Sequence, residues 1–207
     1  MSKKNNDPTP SDHPMAMKRQ AILEAAVRSF QRYGFDGTSM DRIAEETPAS
    51  KRTVYNHFPS KDALFSAVVA ELISRGRPRT EIAFEPDSSP ESQLARFARA
   101  KHEHATDPRF AALFRVMITV VITRPKLAQE VVMAFEQGYE PLESWMRAAN
   151  EAGVLEIENP VLDARIFSGW AAGLLFWPQV LGAKLPTERR EQLIESVASD
   201  FVRARRR

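Results

Sequence analysis

Between Thr38 and Lys61 proline interrupts the chain twice, at Pro48 and Pro59, and this sets the scale of everything around it. Proline has no amide proton and pushes the residue before it out of the helical region, so no helix runs through either position. What remains is room for two short helices, Ser39–Glu46 and Ser50–His57, joined by Thr47-Pro48-Ala49. Ser39 and Ser50 are good N-cap residues, and Ser60 caps the segment after Pro59. Helices this short do not stand alone in water and need longer neighbours to pack on. The neighbours are present. Met17–Tyr33 places Ile22, Leu23, Ala26, Val27 and Phe30 on one face, with Gly34 as its C′ residue. Lys61–Arg75 places Leu64, Phe65, Val68, Leu72 and Ile73 inside. Two short helices crossing over a tight turn form a helix-turn-helix.

The second short helix has a definite orientation. At about 100° per residue, Val54 and Phe58 define its core side. Arg52 and Asn56 then point away, Thr53 and Tyr55 flank them, and Lys51 sits at the N-terminal edge. From Thr47 to Lys61 there is no Asp or Glu. The whole chain carries a net charge of only +2, so nucleic-acid binding requires local positive charge of this kind. Arg52 or Lys51 suits guanine O6 and N7 in the major groove. Thr53 suits a thymine methyl through its methyl and a phosphate through its hydroxyl, Tyr55 and His57 suit phosphates, and Ser50 and Asn56 complete the expected DNA-contacting set. Lys61, in the first turn of the next helix, approaches a phosphate together with that helix's positive end, as Thr38 and Ser39 do one helix earlier.

The rest of the 207 residues reads as helices punctuated by proline. Eight glycines are too few for an all-β chain. The clearest linker is Arg75–Pro90, with part of Thr80–Phe84 still open to helix. Helices are expected over Glu91–Ala105, from Asp107-Pro108 to Arg124, from Pro125 to about Ala152 with a kink at Pro141, from Asn159-Pro160 to Leu181, and from Pro186-Thr187 onward. Val116–Thr123 is β-branched enough for a buried strand, but no partner strand is present, so a buried helix is preferred. Ile166–Ala183 is uncharged, yet its Gly, Pro, Ser and Gln residues argue against a membrane span. The polar, Pro-rich start reads as a disordered arm over residues 1–16, without a signal peptide. The domains expected are therefore that arm, a helix-turn-helix domain over 17–63, and a second helical domain over 64–207. A cytoplasmic location is expected, and the absence of Cys is compatible with it.

The 166–181 segment is apolar nearly all round, which requires burial on every side. Gly169, Ala172 and Gly173 are small enough to let another backbone approach, and Leu193, Val197 and Phe201 form a terminal stripe expected to be covered by a partner subunit; the competing reading of the 166–181 segment is an ordinary central core helix. Aromatic and apolar residues of this half, Phe97, Phe114, Met117, Phe135, Trp145, Phe167 and Trp170, suit a small-molecule pocket, with Arg115, His102 and Glu136 as polar anchors. The competing reading of each is ordinary core. His102 and His104 lie about 200° apart on a helix and do not close on one metal ion. No metal, cofactor or enzymatic role is expected, since no phosphate loop or nucleophile motif is present.

The run GFDGTSMDRIAEETPASKRTVYNHFPSKDALFSAVV resembles the N-terminal domain of the tetracycline-repressor family of bacterial transcriptional regulators. The resemblance covers Arg19–Leu72 and includes Phe30, Gly34, Thr38, Ile43, Ala44, Ser50, Thr53, Tyr55, Phe58, Lys61, Leu64 and Phe65. It implies an all-α protein whose helix from Ser50 reads DNA. Lys51, Arg52, Thr53 and Tyr55 are implied to meet DNA, and Thr38, His57 and Lys61 its phosphates. It further implies a homodimer, paired through the last two helices as a four-helix bundle, acting on an operator in double-stranded DNA. One departure stands out: the family's usual Ala-Gly-Val turn is Thr47-Pro48-Ala49 here. Proline cannot take positive φ, so this turn needs a negative-φ geometry. Asp107–Arg203 resembles the AefR-type C-terminal domain. The function expected is a ligand-responsive regulator, a repressor released by an apolar or aromatic effector. The alternative is an architectural DNA-binding dimer without an effector.

Overall fold

The computed structural model describes residues 12–75, 83–136 and 139–206. Among them every regular element is a helix. The order is α1 (Asp12–Tyr33), α2 (Met40–Glu45), α3 (Lys51–His57), α4 (Lys61–Arg75), α5 (Pro90–Thr106), α6 (Pro108–Thr123), α7 (Pro125–Glu136), α8 (Glu140–Glu151), α9 (Pro160–Ala171), a π-helical turn (Ala172–Phe176), α10 (Trp177–Val180) and α11 (Thr187–Arg203). No helix among the described residues is long and apolar enough to cross a membrane. The chain divides into two compact units between Val69 and Ala70, inside α4.

The first unit is built around three rings. Phe30 of α1, Phe35 of the following loop and Phe65 of α4 lie 5.1–5.7 Å apart, stacked or edge-on. Each such pair adds about 0.5–1.5 kcal/mol beyond simple burial. Gly34 makes the chain reversal possible: its φ is +70°, and its N–H closes α1 on the Phe30 carbonyl at 2.9 Å. α1 begins earlier than its apolar pattern, so residues 12–16, expected in the arm, are helical. Residues 1–11 lie outside the described residues.

In the second unit, polar caps start α5, α6 and α9. Ser89, Asp107 and Asn159 each accept a backbone N–H of the first turn. The core gathers Leu94, Trp145, Met146, Leu155, Phe167, Ile194 and Phe201, all essentially buried. Gln93 is fully buried among them and uses every bond it has. Its Nε2 donates to the Glu85 and Ser88 carbonyls, and its Oε1 accepts from Glu85 N–H and Trp145 Nε1. That ties residues 85–88 to α5 and α8. Residues 83–84 are not helical, and the remainder of the expected Thr80–Phe84 helix, with Gly76 and Pro78 of the linker, lies outside the described residues.

Two expectations are corrected. The long helix expected from Pro125 to Ala152 is two helices, and Pro141 stands in the first turn of α8 rather than at a kink. A first-turn proline loses nothing, because its missing N–H has no helical acceptor anyway. The helix expected from Asn159-Pro160 to Leu181 changes pitch. Pro178 cannot donate to Leu174, and its ring collides with that carbonyl in an α-helix. The π-turn just before it widens the helix, so that Trp177 N–H bonds to Ala172 O, five residues back. Val116–Thr123 is helical, in α6.

Candidate nucleic-acid interface

α2 packs on α3, and Met40, Ile43, Val54 and Phe58 are all buried. Among the described residues no non-glycine residue has positive φ, so the turn holding Pro48 has the negative-φ geometry its sequence demands. Thr47 organises it. The Thr47 hydroxyl donates to the Ala44 carbonyl at 3.1 Å and accepts the Ala49 N–H at 3.2 Å. A side chain thereby adds a bond to a carbonyl in the last turn of α2 and ties down an amide of the turn.

α3 starts at Ser50, whose Oγ accepts Thr53 N–H at 3.2 Å and lies 2.9 Å from the Thr53 hydroxyl. Lys51, Arg52, Tyr55 and Asn56 are exposed, while Thr53 and His57 are half-buried. Ser39 caps α2 by accepting Arg42 N–H at 3.2 Å.

Two residues expected at phosphates have other work. Thr38 is buried, and its hydroxyl donates to the Gly34 carbonyl at 2.7 Å. Lys61 donates to the carbonyls of Phe35 and Thr38, at 2.8 and 2.9 Å, with its ammonium 4.5 Å from the Phe35 ring centroid. Two of the three ammonium protons are spent clipping α4 to the α1–α2 loop. The helical pattern gives no hint of this, because both acceptors are loop carbonyls.

One residue of the face was missed. Asp41, exposed in the first turn of α2, pairs with Lys51 Nζ at 2.8 Å and accepts from the Tyr55 hydroxyl at 3.2 Å. The Lys51 hydrogen bond holds the Asp41 carboxyl below its ordinary range, and Asp41 in turn raises Lys51. Both ions are solvated, so the pair is held loosely. The available signal was Lys51 and Tyr55 standing four apart on one face of α3, open to a carboxylate from the neighbouring helix.

The residues expected to line a pocket fall into two packed clusters and one exposed position. Phe97 and Trp145 pack edge-on in the main core at 6.3 Å, and Phe167 meets Phe201 at 5.2 Å. Phe114 belongs to a second cluster with Phe110, Phe176 and Trp177, at 4.9–5.7 Å, and Met117 is also buried on α6. Trp170 is 43% exposed, and is a surface residue rather than a pocket wall. Arg115 donates to the Val180 carbonyl at 2.7 Å. His102 is buried with Nδ1 3.3 Å from the Leu175 carbonyl, and burial lowers its pKa. His104 turns elsewhere, to the Phe110 ring at 5.3 Å. The side chains of Phe135 and Glu136 lie outside the described residues.

The expected dimer residues also divide. Gly169 and Gly173 are exposed, with open space where a Cβ would stand, and Ala172 is half-buried between them. Around them Trp170, Leu174, Trp177 and Leu181 are exposed, Leu181 by 72%. Leu193 is half-buried. Val197 and Phe201 are corrected: they are 4% and 0% exposed within this one chain, packed into the core rather than held out to a partner. An apolar stripe reports that a helix is covered, not by which chain.

A helix-turn-helix with a cationic, hydroxylic outer face on an all-helical scaffold defines a DNA-binding regulator. Residues 22–68 match the bacterial regulatory proteins of the tetR family, and residues 92–205 match the C-terminal domain of AefR-like transcriptional repressors. The chain belongs to the tetR family of transcriptional regulators. A tetR-family regulator from Pseudomonas syringae pv. tomato str. DC3000 is 35% identical with a TM-score of 0.73, over 92% of this chain and 97% of that one. The flavonoid-responsive regulator FrrA is 29% identical with a TM-score of 0.76, over 92% and 98%. The HTH-type transcriptional regulator RutR of Escherichia coli strain K12 is 35% identical over 101 residues, 48% of this chain and 47% of RutR. The chain thus spans about half the length of the curated relatives it matches.

Proposed function

We propose that this regulator is a homodimeric repressor that binds a palindromic operator in the cytoplasm and is released by an apolar or aromatic small molecule. The outer face of α3 carries the reading. Arg52 and Asn56 are its outermost residues and face base edges, where Arg suits guanine and Asn suits adenine. Lys51, Tyr55, His57 and the first turn of α2 at Ser39 face phosphates. Thr53 follows the cap, between the two. Thr38 and Lys61 act mainly by holding that scaffold, Lys61 with one proton left for phosphate.

Dimerisation is supported by the exposed apolar strip on α9–α10. Trp170, Leu174, Trp177 and Leu181 surround two glycines with empty space above them, which is the composition of a closely packed helix pair. A two-fold axis through this strip pairs it with itself. Each subunit then reads one half-site, the two lying about 34–36 Å apart or a multiple of that. The rings of α6 and the π-turn, Phe110, Phe114 and Phe176, support an aromatic effector, in line with the flavonoid response in the name of FrrA.

The test is selection of bound genomic fragments with purified full-length protein, followed by footprinting. A few two-fold symmetric sites, released on adding an aromatic compound, are the expected result. Many dispersed sites without symmetry overturn the repressor reading and leave an architectural protein.

A further inference from the structure

The inner stripe of α5 runs through Leu94, Phe97, Ala98 and Ala105, all buried, and at the position that continues it the chain carries Lys101. The residue is half-buried, with its head group turned inward. Its ammonium donates to Ser168 Oγ of α9, a residue itself only 6% exposed. On another side stands the ring of Tyr139, just before α8, with its centroid 6.0 Å away. Beside it on α5, His102 turns to the Leu175 carbonyl of the π-turn. Among the described residues no carboxylate pairs with Lys101, and burial alone pulls its pKa from the ordinary lysine range to about 8. At neutral pH it is still a cation, and one neutral hydroxyl and one ring face are poor substitutes for water or a counterion. Methionine or leucine fits such a stripe without that cost. The missing element of this cluster is an anion.

We propose that Lys101 and Ser168 anchor the acidic group of the effector, which is a small aromatic molecule bearing a carboxylate whose ring lies beside Tyr139. This rests on the reading that the C-terminal helices bind a small molecule. The carboxylate accepts from the Lys101 ammonium and from the Ser168 hydroxyl, whose own proton the bond from lysine leaves free to donate. Charge-assisted bonds of this kind are the strong ones, and partial withdrawal from water enhances them.

The experiment uses the full chain with benzoate, salicylate and 1-naphthoate against their primary amides, read by thermal shift and by operator release. The expected result is that acids raise the Tm and release the operator while amides do neither. Acid affinity then falls by about tenfold or more in Lys101→Met and is largely kept in Lys101→Arg. A second readout needs no ligand. Lys101→Met removes an unpaired cation and raises the Tm at pH 7, whereas a lysine kept only to tie α5 to α9 lowers it when replaced. Because the folded pKa, about 8, lies below the unfolded lysine value of about 10.4, the unfolded chain binds more protons between them. Wild-type stability therefore rises with pH across that window, and the gain is absent from Lys101→Met. Amides binding as well as acids, with Lys101→Met unaffected, overturns the anionic anchor and leaves the effector site standing. Binding by neither series, with a lower Tm for Lys101→Met, overturns both.

Discussion

The outer face of α3 and the outer face of α9–α10 both look onto solvent, but water treats them differently. On α3 the exposed groups are ions and hydroxyls, and the Asp41–Lys51 pair with the Tyr55 hydroxyl forms among groups that water also satisfies. Such contacts exchange for phosphate oxygens at little cost and weaken with salt. On α9–α10 the exposed groups are tryptophan and leucine, which gain nothing from water. The first face suits a partner that comes and goes. The second suits one that stays, since contiguous exposed apolar residues mark an interaction surface.

The sharpest way to break this contrast is to charge the apolar face. Gly173 has open space around its Cβ position within the chain, so a side chain there disturbs only a partner. Gly173→Arg is expected to give monomers or insoluble protein, acting twice across a two-fold axis. Light scattering that shows an intact soluble dimer removes this helix from the interface. Next comes the reading face. Arg52→Ala is expected to cost about 1–3 kcal/mol of discrimination between operator and scrambled DNA. Equal loss on both DNAs in binding titrations sinks the base-reading role.

Lys61→Ala should lie between the two classes. Losing two bonds from a charged donor to loop carbonyls is expected to lower the stability of the first unit by about 1–3 kcal/mol, with DNA affinity falling about equally for all sequences. Chemical denaturation that leaves stability unchanged while the salt slope drops by about 1 returns Lys61 to a plain phosphate ligand. The smallest effect is at Asp41. Asp41→Asn frees Lys51 and removes a negative charge from the face, so non-specific affinity rises and the salt dependence steepens by about one ion. An unchanged slope would mean that Lys51 gains no phosphate contact when Asp41 is removed.

The helix-turn-helix was legible because its punctuation is chemical and local. Ser39, Ser50, Pro48, Pro59 and Gly34 each act within a few residues of themselves, and each is found doing so. Val54 and Phe58 followed from the wheel alone. What escaped the sequence depends on contacts between distant segments. Asp41 reaches α3 across a crossing angle, Lys61 bonds loop carbonyls, and Gln93 finds partners on two other elements. The stripe of α11 was visible, but its cover was this chain's own core, which is why Val197 and Phe201 were placed on the wrong side. The π-turn was hidden for a different reason. Pro178 was visible, but proline permits a kink, a break or a change of pitch, and packing selects among them.

The turn Thr47-Pro48-Ala49 has a consequence that belongs to the unfolded chain. A glycine turn is free to bend and surrenders much entropy when it folds. Proline has surrendered part of it already through its ring, which is worth about 0.4–1 kcal/mol where the native φ suits it. The angle between the scaffold helix and the reading helix is then partly set in the covalent chain, before any tertiary contact forms. In this regulator the joint of the reading head is stiffened from within.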